Sequence, residues 1–143
     1  MQRPDTPALA VDVVIELSDR PERPLLLIQR RYPPLGWALP GGFVEVGETV
    51  ADAARREAHE ETSLVVELQA LLGVYSDPRR DPRLHVVSVV FAAVARGEPR
   101  ARDDARHLAL FPLDSLPPLA FDHGRILADY RRFRETGRSP CAF

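Results

Sequence analysis

Between Gly42 and Leu64 the chain reads GFVEVGETVADAARREAHEETSL, and this stretch limits its folding options more than any other. After Gly42 come five residues, then Glu48, then seven more, then Arg56-Glu57-Ala58-His59-Glu60-Glu61-Thr62-Ser63-Leu64. Thr49-Val50-Ala51-Asp52 has the form of an N-terminal capping box, and the alanine-rich residues after it favour a helix. On such a helix residues three and four apart are neighbours, so Glu57, Glu60 and Glu61 crowd one patch of its last turns. The buried stripe that runs through Val50, Ala53 and Ala54 next reaches positions 57, 58 and 61, and two of these are glutamate. Acids at a helix C-terminus also oppose the macrodipole, by roughly 0.3–1 kcal/mol each. A hard divalent cation offsets that repulsion, because Mg2+ prefers carboxylate oxygens, water and phosphates. A solvated charged face with an Arg56–Glu60 pair is the plainer alternative. The glycine-rich entry from Gly41 to Gly47, together with Glu48 and the full spacing, weighs against it.

Length and composition fit one compact domain over residues 1–143, since a chain of 143 residues with 45% hydrophobic content buries one sizeable core. The net charge of −2 supplies no basic field for nucleic acid, so any phosphate recognition must be local. A single cysteine, Cys141, excludes an intrachain disulfide framework and makes the cytoplasm the expected location. No segment reaches the ~18 uninterrupted apolar residues of a membrane span, and MQRPDTP is no signal peptide.

Strands are expected at Ala8 to Leu17 and Pro24 to Gln29, with a polar turn from Ser18 to Arg23 between them. After the helix, Leu64 to Val74 and His85 to Val94 are rich in β-formers and are separated by a proline- and arginine-rich loop. His107 to Pro112 reads as a short strand, and Phe121 to Arg134 as a closing helix that begins near Asp122. Strands, helix, strands and helix in this order make a mixed α+β pattern.

The acidic stretch resembles the Nudix box, the signature of hydrolases that cleave a nucleoside diphosphate linked to another moiety. Gly42, Glu48, Arg56, Glu57, Glu60, Glu61 and Leu64 carry the match. Ser63 replaces the usual glycine near the end, and Ala58 stands where a larger apolar residue is common. The serine costs about 1 kcal/mol if the left-handed backbone is kept. The resemblance implies an α/β/α sandwich around a mixed β-sheet, and hydrolysis by water with Mg2+, or Mn2+ in its place, as cofactor. It also implies Glu57 and Glu61 as primary metal ligands, Glu60 binding directly or through water, and the Gly41 carbonyl completing the set. Arg56 is then an organiser of the acids, paired with Glu48. For the general base, a glutamate in the box or in a later loop is usual; Glu98, Asp103 and Asp104 are the candidates outside the box.

Substrate choice lies outside the box. Arg30 and Arg31 lead toward the glycine loop and are candidates to clamp a diphosphate, with strand alternation setting them in different directions. Trp37 and Tyr32 are candidates to stack on a base or ribose, although packing is the commoner role. The segment Tyr75 to Val90, with Pro78, Arg80 and His85, is similar to the corresponding part of ADP-ribose pyrophosphatases. So are Asp103-Asp104-Ala105 and Leu119-Ala120-Phe121-Asp122-His123, while Leu84 replaces a glycine often seen there. His85 and His123 are both candidates for substrate contact, against the more usual structural role of a lone histidine. The resemblance therefore implies hydrolysis of ADP-ribose to AMP and ribose 5-phosphate. The rival substrate is an oxidised nucleoside triphosphate. A non-catalytic ADP-ribose sensor is a different class of answer, disfavoured because all three glutamates are kept and because 143 residues leave no room for a DNA-binding domain. A small-molecule nucleoside diphosphate is the expected partner, with neither nucleic acid nor membrane, and a homodimer is expected by analogy.

Overall fold

Strand β1 (Ala8–Leu17) is buried on both faces, and the rest of the protein is arranged around it. The computed structural model describes residues 2–101 and 107–140. Within them the chain runs β1, β2 (Leu25–Gln29), β3 (Trp37–Ala38), β4 (Gly41–Phe43), α1 (Val50–Thr62), β5 (Glu67–Tyr75), β6 (Val86–Ala95), β7 (His107–Phe111) and α2 (His123–Thr136). The sheet order is β3-β2-β1-β6-β5, with β4 added beside β1 and β7 beside β2. β1 and β6 run parallel from Ala8↔Val86 to Leu17↔Ala95, and the other pairings are antiparallel. The sheet is therefore mixed.

Alternation along β1 separates two cores. Val11, Val13, Ile15 and Leu17 pack toward α1 with Ala53, Ala54 and Ala58, whose small side chains let the helix lie close to the sheet. Val14 faces the other way, with Leu25 and Leu27 of β2 and Ile126, Leu127 and Tyr130 of α2. Asp12 and Glu16 share that second face and are also buried. Glu16 is held by Arg134 at 2.6 Å and Arg23 at 3.0 Å. One helix on each face gives the α/β/α sandwich.

Helix α1 starts where its capping residues place it: the Thr49 hydroxyl accepts the Asp52 N–H at 3.0 Å. It ends at Ser63, whose backbone is left-handed (φ 65°) and whose N–H donates to the His59 carbonyl. The serine thus keeps a backbone conformation that glycine adopts at lower cost. Ser63→Gly is expected to raise stability by about 0.5–1 kcal/mol, or about 2–4 °C in Tm for a domain of this size. Thermal unfolding checks this, and an unchanged or lower Tm would show that the Ser63 hydroxyl bond to the Arg100 carbonyl, at 3.4 Å, outweighs the backbone cost.

Two short elements depart from the sequence expectation. β3 and β4 lie in the stretch expected to be only a lead-in loop, and β4 pairs with β1 through Asp12↔Gly41 and Val11↔Gly42. A strand of three residues, two of them glycine, has too little side chain to show a period; its pairing is decided by β1.

Candidate active site

The close approach of β4 to β1 and α1 explains both glycines. A Cβ on Gly41 would collide with the Val11 carbonyl and the Asp12 carboxylate, and one on Gly42 would collide with the carboxylate of Glu57. The Gly41 N–H donates to Glu61 Oε2 at 3.1 Å, which ties this turn to the last turn of α1.

Arg56 gathers the acids. Its Nε and Nη2 fork onto Glu48 at 2.7 and 2.9 Å. Nη1 reaches Glu57 at 2.8 Å and Glu60 at 3.3 Å, and Nη2 also donates to the Phe43 carbonyl at 3.0 Å. A planar guanidinium is suited to such a set, because its donors leave in fixed directions. Arg56, helped by the Glu45 backbone N–H, holds Glu48 down to about 2. Glu57 behaves oppositely: burial pushes its carboxyl above the ordinary value, and the charges of Glu60 and Glu48 push the same way, against the Arg56 pairing. Such crowding favours an added cation.

Among the described residues no three carboxylate or imidazole side chains close into a cation cage, Arg56 being the partner of Glu48, Glu57 and Glu60 here. The donor chemistry nonetheless fits a hard divalent metal: carboxylate oxygens grouped at a helix end beside a backbone turn, with neither sulfur nor imidazole.

Next to the acids lies a cavity of about 320 Å³. β1 contributes Ala10 to Asp12, the turn contributes Gly41, Gly42 and Phe43, and α1 contributes Glu61. Arg30, Arg31 and Tyr32 form another part of the wall, and Arg80, Asp81 and Arg83 arrive from the loop before β6. Phe121 and His123 close it at the start of α2. The Arg30 guanidinium lies over the Phe121 ring at 4.6 Å and that of Arg83 at 5.4 Å, a cation–π arrangement. Arg30 also donates to the Pro34 carbonyl at 2.7 Å. Burial, with Arg83 nearby, lowers the Arg30 pKa.

The structure brings together Gly41, Gly42, Glu61, Arg30, Arg31 and Arg80 at one cavity, with Glu57 against Gly42. Arg30 and Arg31 both border it, because β2 stops at Gln29 and strand alternation does not extend through them. Arg80 is almost fully buried and forks onto Asp122 at 2.9 and 2.8 Å, so its charge is already matched. Trp37 is not in the lining; it packs edge-on against Phe111 with ring centroids 5.0 Å apart. His85 Nε2 lies 3.0 Å from the Ser76 carbonyl, and the residue is not in the cavity lining. Glu98 is exposed and paired with Arg20 at 2.9 Å. Asp103 and Asp104 lie outside the described residues, as does Cys141.

Sequence reasoning missed Asp12 and Arg83, and it discounted His123. The signal for Asp12 was an acid which, like Glu16, interrupts the apolar run VDVVIEL; in a strand buried on both faces such a residue needs partners. It has them: the Ser88 hydroxyl donates to Oδ2, and Arg80 and His123 lie within 4.0 and 3.8 Å. Burial raises the Asp12 pKa against these neighbours and lowers that of His123.

A sheet between two helices, with an acid-rich helix end locked onto a double-glycine turn, defines a Nudix architecture. The chain matches the NUDIX domain over residues 6–130 and belongs to that family. It is 51% identical over 131 residues to an ADP-ribose pyrophosphatase of Methanocaldococcus jannaschii, covering 90% of this chain and 75% of that protein. Among solved structures it is similar to a MutT NUDIX hydrolase from Burkholderia pseudomallei (34% identity, TM-score 0.75, 87% of this chain and 98% of that one). It is also similar to the NUDIX domain of Shewanella oneidensis NrtR complexed with ADP ribose (28% identity, TM-score 0.77, 92% of this chain and 90% of that one). Among the described residues no helix is long and apolar enough to cross a membrane.

Proposed function

We propose that this chain is a Mg2+-dependent pyrophosphohydrolase that cleaves ADP-ribose with water to AMP and ribose 5-phosphate. The observation that carries the reading is the junction of Glu57 and Glu61 with the Gly41–Gly42 turn at the mouth of an arginine-lined cavity. The 51% identity to an archaeal ADP-ribose pyrophosphatase supports the substrate.

In this reading Glu57 and Glu61 hold the metal, with Glu60 and the Gly41 carbonyl as further donors. When bound, the cation supplies charge neutralisation at the pyrophosphate and lowers the pKa of water. Arg56 and Glu48 fix the carboxylates. Arg30 and Arg31 attract and orient the diphosphate, Arg83 is already forked onto Asp81 at 3.0 and 2.8 Å, and the bare backbone at Gly42 leaves room for the Glu57 carboxylate beside the turn. A nucleoside diphosphate in this cavity is thus held by its phosphates at one end and by the cavity wall at the other. Glu98 is paired with Arg20 at the surface, and separate truncations of Glu98, Asp103 and Asp104 test each as the base, near-full rates in all three assigning that role to a glutamate of the box. The reading carries a cytoplasmic homodimer; the edge strand β5, with Leu71 and Val74 exposed, supports the pairing.

Hydrolysis measured across ADP-ribose, NADH, nucleoside diphosphate sugars and normal and oxidised nucleoside triphosphates, with Mg2+ and with chelator, tests the proposal. The highest kcat/KM is expected for ADP-ribose, with loss of turnover in chelator. Preference for a triphosphate overturns the substrate assignment and keeps the metal site. Binding of ADP-ribose without turnover of any compound makes the chain a sensor.

A further inference from the structure

The hydrolytic reading leaves unused the inner wall of the cavity, where Asp12 and His123 face one another. Both are buried, at 8% and 3% exposure, and both line the cavity. Asp12 Oδ2 is taken by the Ser88 hydroxyl. Its Oδ1 lies 3.8 Å from His123 Nε2, beyond hydrogen-bond range. His123 Nδ1 accepts the Leu39 N–H at 3.0 Å, so the ring proton is on Nε2. Arg80 stands 4.0 Å from Asp12 but is committed to Asp122. The wall therefore presents one fixed donor, His123 Nε2–H, and one fixed acceptor, Asp12 Oδ1.

A single ligand atom bridging the two would stand about 2.8 Å from each, which their 3.8 Å separation allows. It must accept from the imidazole and donate to the carboxylate. A phosphate oxygen and a carbonyl only accept, and an amino group bonded to an aromatic ring only donates. A hydroxyl does both. The carboxylate also repels an anion, which disfavours a phosphate between the two groups.

We propose that Asp12 and His123 form a subsite that recognises a ribose hydroxyl of the nucleoside diphosphate substrate, making the chain selective for ribosyl over deoxyribosyl ligands. The inference rests on the ADP-ribose reading for the identity of the ligand, and on the donor–acceptor pair alone for the hydroxyl.

The test uses ADP-ribose and analogues lacking one ribose hydroxyl at a time, scored by kcat/KM and by calorimetric affinity. With unmodified protein one analogue is expected to lose about 10–100-fold while the others stay within about threefold, the range of a hydrogen bond to a charged group. In Asp12→Asn and in His123→Gln that one ratio should collapse toward unity, whatever happens to the absolute rate. A merely structural role would lower every substrate alike and leave the ratio standing, and this result overturns the proposal. So does an unmodified protein for which no single deletion matters, because the pair then holds only water. The analogue series on unmodified protein needs no variant to fold. If ADP-ribose is not hydrolysed but triphosphates are, the functional reading alone has failed, and the ratio of ribo- to 2′-deoxynucleotide decides the subsite. If nothing is hydrolysed, the affinity ratios decide it.

Discussion

Glu61→Gln should lose on the order of 10³-fold in kcat, or more, while unfolding at nearly the same temperature as the unmodified protein. The amide oxygen of glutamine can still accept the Gly41 N–H that Glu61 Oε2 accepts at 3.1 Å, so the tie between α1 and the glycine turn survives. What goes is the negative charge. A metal ligand deprived of charge binds its cation more weakly, so the defect should shrink as Mg2+ is raised. Rates within tenfold of the unmodified protein at all Mg2+ concentrations would remove Glu61 from the ligand set.

The two glycines should fail in different ways when each is changed to alanine. At position 41 the added methyl meets the Val11 carbonyl, which is backbone of the central strand and cannot turn aside. Gly41→Ala is expected to cost about 1–3 kcal/mol of stability, as overpacking does, and to lose activity with it. At position 42 the obstacle is the Glu57 carboxylate, the movable end of a side chain. Gly42→Ala should therefore fold almost normally yet lose about 10²-fold in kcat/KM, because displacing a catalytic group by an ångström is enough. Thermal melts beside kinetics separate the two. Equal loss of stability in both variants would show that Glu57 is held too rigidly to move.

Helix α1 was legible because its cap and its alanines indicate the same element, and Thr49 sits at its start as an N-cap residue does, while Ser63 ends it against its own backbone preference. β1, β2 and β6 were legible from apolar runs of β-forming residues. β4 was not, since glycines give no period, and its place is set by a strand thirty residues earlier in the chain. Within the site, the acids showed in spacing, whereas Asp12 and His123 did not: each reads alone as an isolated polar residue, and only the fold sets them 3.8 Å apart. Trp37 shows the reverse error. An aromatic residue before a glycine turn suggests stacking on a ligand, but Trp37 instead packs in a T-shaped contact with Phe111, brought alongside by the β2–β7 pairing.

Because β1 separates two cores, the site divides its labour across one strand. The acidic cluster grows from the α1 side, and the Asp12–His123 pair from the α2 side; both reach the same cavity, where Gly41 lies against Asp12. Ligand preference could then be altered by editing the α2 side while the hydrolytic apparatus on the α1 side is left intact. A single wall with independent fittings on its two faces is one physical route by which the same box can serve many different substrates.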